Sequence, residues 1–194
     1  PGTYTATTGH SSCVSCGTGK YQSSSSATAC VDCPAGSYCG AGASAALACW
    51  AGSYRETTGA TAQADCTDAR AGHFCSAGAV AETPCAPGTY NGQTRQFTCF
   101  SCAAGFYQNT IGQTACKQCK AGGYCPAGAS SVLACPAGTY SGVLGNDELS
   151  DCSACPAGSS CSAGSVAGKV CSAGTFATAG QPSCTKCAAG YYQE

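Results

Sequence analysis

Nine cysteines, Cys13, Cys16, Cys30, Cys33, Cys39, Cys49, Cys66, Cys75 and Cys85, recur 86 residues later as Cys99, Cys102, Cys116, Cys119, Cys125, Cys135, Cys152, Cys161 and Cys171. A third copy opens at Cys184 and Cys187, offset by 85 from Cys99 and Cys102, and Pro1-Gly2-Thr3-Tyr4 corresponds to Pro87-Gly88-Thr89-Tyr90. Self-similarity at a fixed period is the mark of a repeat array, in which each unit touches chiefly its neighbours. The register predicts the end of a preceding repeat over 1–12, a first super-repeat over 13–98, a second over 99–183 and the start of a third over 184–194. It also predicts a segment of a longer array, with an elongated rod as its shape.

The composition removes the usual alternative of a hydrophobic core. Cysteines number 21 in 194 residues, whereas Leu, Ile, Val and Phe together number 17. A chain so poor in large apolar side chains cannot fold by burial alone, and one this rich in cysteine is a disulfide scaffold. The 44% hydrophobic content is mostly Ala and Cys, which remove little apolar surface per residue. Cross-links must take the core's place. The predicted fold is therefore small disulfide-rich repeats, mostly turns and loops with short β-ladders and little or no helix, since neither helical nor sustained strand periodicity runs along the chain.

Eight basic and nine acidic residues leave a net charge of −1, scattered without the basic footprint that nucleic acid requires. No apolar run reaches the length of a membrane span and no signal peptide is legible. So many thiols imply an oxidising destination, extracellular or at the cell surface. Asn91, Asn109 and Asn146 lack the Asn-x-Ser/Thr pattern, whereas Ser23 to Ser26 and Thr5, Thr7 and Thr8 are candidates for O-linked glycans.

Two-residue gaps punctuate the cysteines at Cys13/Cys16, Cys30/Cys33, Cys99/Cys102, Cys116/Cys119, Cys152/Cys155 and Cys184/Cys187. Taken as module boundaries, they bound two-cysteine modules (Cys16 with Cys30, Cys102 with Cys116) and four-cysteine modules (Cys33, Cys39, Cys49, Cys66; Cys119, Cys125, Cys135, Cys152; Cys155, Cys161, Cys171, Cys184). One slot is broken, because Ala69 stands where the second copy has Cys155. Four cysteines allow three pairings, and each leaves a different orphan opposite Ala69. First-to-third with second-to-fourth pairing leaves Cys85, neighbour pairing leaves Cys75, and nested pairing leaves Cys99. Cys13 and Cys187 are expected to pair outside this sequence.

An aromatic preceded by a glycine two places earlier recurs with the cysteines: Gly19/Tyr21, Gly36/Tyr38, Gly52/Tyr54, Gly72/Phe74, Gly88/Tyr90, Gly105/Phe106-Tyr107, Gly122/Tyr124, Gly138/Tyr140, Gly174/Phe176 and Gly190/Tyr192, with Ser160 the exception. Ala-Gly or Pro-Gly suits the centre of a type II turn, where glycine takes positive φ without strain. The turn is expected to fold the ring over a disulfide as part of the core. Gly42, Gly78, Gly128 and Gly164 mark a second turn.

Cys-Pro-Ala-Gly-Ser-Tyr-Cys at 33–39, Cys-Pro-Ala-Gly-Thr-Tyr at 135–140 and the Cys-x2-Cys punctuation resemble the ephrin-receptor-like cysteine-rich repeats and, more loosely, furin-like and tumour-necrosis-factor-receptor modules. Such repeats occur in receptor ectodomains and in long surface or appendage proteins, often of protists. The furin-like style implies single-bridge bows, Cys16 with Cys30 and Cys102 with Cys116, alternating with first-to-third, second-to-fourth modules. These pair Cys33 with Cys49, Cys39 with Cys66, Cys75 with Cys99, Cys119 with Cys135, Cys125 with Cys152, Cys155 with Cys171 and Cys161 with Cys184, and make Cys85 the free-thiol candidate. The chain departs from the tumour-necrosis-factor-receptor pattern in the long interval from Cys49 to Cys66, which argues against cytokine binding.

Rival chemistries are weaker. Cys13-x2-Cys16 and Cys30-x2-Cys33 come close to zinc-ribbon spacing, but the cysteines continue without a break into other spacings. His10 and His73 are the histidines available to a Cys-His pair, and neither sits in a recognisable catalytic pattern. Asp147, Glu148 and Asp151 form one acidic cluster without the fixed alternation of a calcium loop. The expectation is a non-enzymatic protein with no metal or cofactor: a structural repeat segment of an extracellular fibrous, appendage or surface-coat protein, partnered by itself or by other extracellular proteins. The alternative is a receptor or adhesion stalk.

Overall fold

The computed structural model describes residues 1–9, 11–188 and 190. Among them are eleven two-stranded antiparallel sheets, each a hairpin of two-residue strands, the first joining Thr3–Tyr4 to Val14–Ser15 and the last Thr175–Phe176 to Thr185–Lys186. No α-helix is present among the described residues; two single 3₁₀ turns, Gln63–Asp65 and Leu149–Asp151, complete the regular structure. First strands begin at Lys20, Ser37, Ser53, His73 and Thr89 and again, 86 residues on, at Phe106, Gly123, Thr139, Ser159 and Thr175. The super-repeat is thus five hairpins.

Each hairpin opens on the expected type II turn. Gly36 has φ +76 and Ser37 N–H donates to Pro34 O at 3.2 Å, and the same closure recurs at Gly138, with Thr139 N–H on Pro136 O at 3.0 Å. Gly42, Gly78, Gly128 and Gly164 also have positive φ, as the second turn requires. In that loop position of the hairpins Ser26 and Arg95 are the non-glycine residues, with φ 57 and 61. Positive φ costs a side-chain-bearing residue about 1 kcal/mol or more.

The chain divides into two compact units, one of Pro1–Cys85, Asn91–Phe100 and Gly112–Thr114, the other of Ala86–Tyr90, Ser101–Ile111 and Ala115–Glu194. Within the first, each turn glycine donates to the residue after the next hairpin's aromatic: Gly2 to Gln22 O, Gly19 to Cys39 O, Gly36 to Arg55 O, Gly52 to Cys75 O and Gly72 to Asn91 O. A second series skips one hairpin, from Gly42 to Cys16 O, Gly59 to Cys33 O and Gly78 to Cys49 O. The second unit carries its own version, with Gly88 donating to Gln108 O, Gly105 to Cys125 O, Gly122 to Ser141 O and Gly138 to Cys161 O. A Cβ on Gly36 would run into Gly78 O, and one on Gly122 into Gly164 O. Glycine therefore serves twice, for the turn and for the close approach of a hairpin two places on.

Nine disulfides form, one in each of nine hairpins, the 3–15 and 73–84 hairpins having none, and their connectivity corrects the expected one. Cys16–Cys30 and Cys102–Cys116 are the two bows as expected. The four-cysteine modules, however, pair neighbours: Cys33–Cys39, Cys49–Cys66, Cys119–Cys125, Cys135–Cys152, Cys155–Cys161 and Cys171–Cys184. None of Cys33 with Cys49, Cys39 with Cys66, Cys119 with Cys135, Cys125 with Cys152, Cys155 with Cys171 or Cys161 with Cys184 is bonded. Cys85 bonds Cys99 instead of standing free, so Cys75 has no partner. Local geometry explains the difference. The type II turn reverses the chain immediately after Cys33, and the strand leaving it returns Cys39 to a Cα separation of 5.8 Å, inside the range a disulfide spans. Cys49 opens the next hairpin, where its N–H donates to Gly36 O and its sulfur closes on Cys66.

The interior is made of these bridges. Of the buried apolar residues most are cysteines, joined by Ala60, Ala69, Tyr107 and Ala177. The aromatics are less buried than expected. Tyr107 packs against Cys119 and Cys125, but Tyr21, Tyr38, Tyr54, Phe74, Tyr90, Tyr124 and Tyr140 are half-buried and Phe106 is exposed. A hairpin two residues wide covers one side of a ring and leaves the other to water. Tyr192 lies outside the described residues.

Candidate functional site

The residue after each aromatic faces inward, and its identity sets how the hairpin is tied. In the hairpins with a six-residue bridge it is Cys39, Cys125 or Cys161. Elsewhere it is often a buried polar side chain that pins the following loop. Gln22 Nε2 donates to Ala29 O and Gln108 Nε2 to Ala115 O, both at 2.7 Å. Asn91, fully buried, instead reaches back to the preceding hairpin, donating from Nδ2 to His73 O at 2.8 Å.

One hairpin departs from both patterns. In the 73–84 hairpin the inward residue is Cys75, and the position that should bridge it is Ala69; Cys75 is 1% exposed and Ala69 0%. The Cys75 thiol donates weakly to Ala81 O at 3.8 Å. Burial, and after it the charge of Glu82, push that thiol above its ordinary value.

Charge gathers where the bridge is missing. Arg70 Nε lies 2.7 Å from Glu82 Oε1, while the Arg70 backbone N–H donates to Glu82 Oε2 at 3.0 Å. Arg70 Nη2 also lies 3.3 Å from His73 Nε2, and His73 Nδ1 3.3 Å from Ala71 O. In the bridged 159–170 hairpin the corresponding positions are Pro156, Gly168 and Ser159. All three arginines of the chain, Arg55, Arg70 and Arg95, fall in this stretch. Arg95 Nε pairs with Asp68 Oδ1 at 3.2 Å, and Arg55 Nη1 donates to Asp65 O at 2.9 Å. Trp50 and Phe97, in the same stretch, are exposed. The sequence reading missed this concentration, although the clustering of every arginine between 55 and 95 was a usable signal.

The other candidate sites resolve differently. Cys16, Cys30 and Cys33, offered as zinc thiolates with Cys13, are committed to bridges. In the acidic cluster Asp151 Oδ2 accepts the backbone N–H groups of Asp147 and Glu148 at 3.0 and 3.1 Å. Asp65 does the same for its own loop, accepting from Thr61 N–H, Thr61 Oγ1 and Ala62 N–H at 2.7, 2.8 and 3.2 Å. These hydrogen bonds to the ionised carboxylates hold both Asp65 and Asp151 below the usual carboxylate range. The acids shape loops. His73 is occupied by Arg70 and Ala71 while Cys75 turns to Ala81, so the two do not form a nucleophile pair; His10 lies outside the described residues. Cys13 and Cys187 carry no bridge within the chain.

Two segments, 2–46 and 88–132, match the family model described as tyrosine-protein kinase ephrin type A/B receptor-like. The segments lie 86 residues apart, so they cover equivalent stretches of the repeat and leave the 73–84 hairpin outside both. No curated protein matches the chain. The matching family is a receptor-like cysteine-rich repeat and not an enzyme family. Nine bridges and two such repeats mark an extracellular segment. No helix among the described residues is long and apolar enough to cross a membrane.

Proposed function

From its two ephrin-receptor-like cysteine-rich repeats, residues 2–46 and 88–132, we propose that the chain is a structural repeat segment of an extracellular fibrous, appendage or surface-coat protein that assembles with copies of itself. The observation that carries this reading is the uniformity of the ladder: in each unit the same backbone donors and acceptors join one hairpin to the next. Such a chain builds length from one local rule. Its surface supports periodic self-contact. Val14, Val31, Leu47 and Leu133 sit at one register position, opposite Tyr4, Tyr21, Tyr38 and Tyr124, and all four are exposed. Repeated patches of this kind make heterologous contacts that propagate. The exposed Ser23–Ser26 loop is where O-linked sugar would sit. Negative-stain electron microscopy of the full-length protein from its native source, without reductant, tests the reading. Regular filaments support it, and dispersed single particles at the same concentration contradict it.

A second reading, a receptor or adhesion stalk, is favoured by one departure from uniformity. Trp50, Arg55 and Arg70 are replaced in the second copy by Pro136, Ser141 and Pro156. Tryptophan and arginine dominate protein-binding hot spots, so a partner would engage the first copy here. A Trp50→Ala variant that loses a cell-surface partner while still forming filaments would separate the two roles.

A further inference from the structure

The 73–84 hairpin lacks its covalent tie and carries in its place a set of polar contacts found in no other described hairpin. Arg70, immediately after Ala69, reaches Glu82 near the second strand through both its guanidinium and its backbone N–H. Ala69 and Cys75 occupy the positions that Cys155 and Cys161 bridge in the second copy, where Arg70 and Glu82 are replaced by Pro156 and Gly168. At this position one copy has the bridge and the other the ion pair, although a bridged hairpin can carry an ion pair as well, as Lys20 and Asp32 do beside Cys16–Cys30. Glu82 is well placed for the task, its side chain 16% exposed against 71% for Arg70, so the carboxylate is partly desolvated and the pair is stronger than an open surface one. The groups around it are Arg70, whose Nη2 in turn contacts His73 Nε2, and Tyr54 and the Cys75 thiol.

We propose that the Arg70–Glu82 pair is a non-covalent staple substituting for the missing Ala69–Cys75 bridge, which makes this hairpin an opening point between two bridged neighbours. Its neighbours are closed by Cys49–Cys66 on one side and Cys85–Cys99 on the other, and between Cys66 and Cys85 no covalent link exists. A disulfide does not respond to ionic strength, whereas a partly exposed ion pair does. The hairpin therefore loosens with salt while the bridged 159–170 hairpin stays shut, and loosening brings the buried Cys75 thiol to the surface. The inference does not depend on self-assembly.

Amide hydrogen exchange on the oxidised chain tests it, comparing residues 76–84 with 162–170. Glu82→Gln is expected to accelerate exchange over 76–84 by about tenfold and to leave 162–170 unchanged. Asp68→Asn, which breaks the Arg95 pair instead, serves as the control and leaves 76–84 slow. Adding Ala69→Cys to the Glu82→Gln background restores slow exchange by reinstating the bridge. The staple is refuted by unchanged exchange over 76–84 in Glu82→Gln. It is equally refuted by a loss of protection spread over the bridged hairpins, or by failure of a bridged Ala69→Cys/Glu82→Gln chain to recover protection.

Discussion

Cys33 is bonded to Cys39, six residues along the chain and 5.8 Å away between Cα atoms, although Cys49 competes for it in the spacing pattern. This bond defines the unit of the fold. With neighbours paired, every bridge lies inside one hairpin, and no disulfide joins one hairpin to another: backbone hydrogen bonds do so, with side-chain contacts such as Asn91 Nδ2 on His73 O added to them.

The empty partner position at Ala69 is expected to accept a cysteine. Ala69→Cys should form a tenth disulfide with Cys75, because three equivalent pairs already span the same six residues at 5.8 Å. Closing a loop that short stabilises by about 2 kcal/mol in the chain-entropy treatment. Thiol counting and chemical denaturation check this, and a variant retaining one more thiol than the parent contradicts it.

Turn glycines should be intolerant where they meet another hairpin. Gly36→Ala places a Cβ against Gly78 O at φ +76, and a loss of about 2 kcal/mol or more is expected. Gly40→Ala meets nothing within 4 Å and should change stability little. A Gly36→Ala loss no larger than that of Gly40→Ala, measured by urea unfolding, would contradict the close approach to Gly78.

Ser26 holds a left-handed conformation at φ 57, where its second-copy counterpart is Gly112. Ser26→Gly is expected to stabilise the chain by about 0.5 kcal/mol, the relief of the positive φ outweighing the added freedom of the unfolded chain. Arg95→Gly should gain less, because it also loses the Asp68 pair at 3.2 Å. Thermal unfolding of the two variants gives the order directly.

Acid should open two loops selectively. The folded-state values of Asp65 and Asp151 are depressed by the N–H groups they accept, so their contribution is fully present above the unfolded-state carboxylate value and is lost as pH falls through the folded-state value. Protection at the Thr61, Ala62, Asp147 and Glu148 amides, taken relative to the intrinsic exchange rate at each pH, is expected to fall in that acid range and to stay constant between pH 6 and 8. Asp65→Asn and Asp151→Asn should reproduce the open loops at neutral pH, as amide exchange or NMR will show.

The turns were legible because their cause is local: only glycine takes φ +76 at Gly36 without strain, and a glycine before an aromatic says so. The period was legible because cysteine spacing survives when the loops diverge. Connectivity was not, since all three pairings of Cys33, Cys39, Cys49 and Cys66 satisfy the spacing, and only the reversal of the chain at Gly36 brings Cys39 back to Cys33. Ala69 already posed the question in the sequence; the structure answers it with Cys75. Ring burial was overestimated for the reason that Phe106 and Tyr107 illustrate. On a two-residue strand adjacent rings point opposite ways, and only Tyr107 reaches the Cys119–Cys125 bridge. The Arg70–Glu82 pair spans twelve residues with no periodic signature and required coordinates to be seen.

The most direct test of bridging within single hairpins is disulfide mapping of the oxidised chain. It is alkylated without reductant and cleaved after Glu82, which separates Cys75 from Cys85, and after large apolar residues, where Tyr38 and Leu47 separate Cys33, Cys39 and Cys49 and Tyr90 and Phe97 separate Cys85 from Cys99. The account predicts alkyl label on Cys75 once the chain is unfolded, none on Cys85, and linked peptides joining Cys33 to Cys39 and Cys85 to Cys99. Label on Cys85, with Cys33 linked to Cys49 and Cys39 to Cys66, would contradict it.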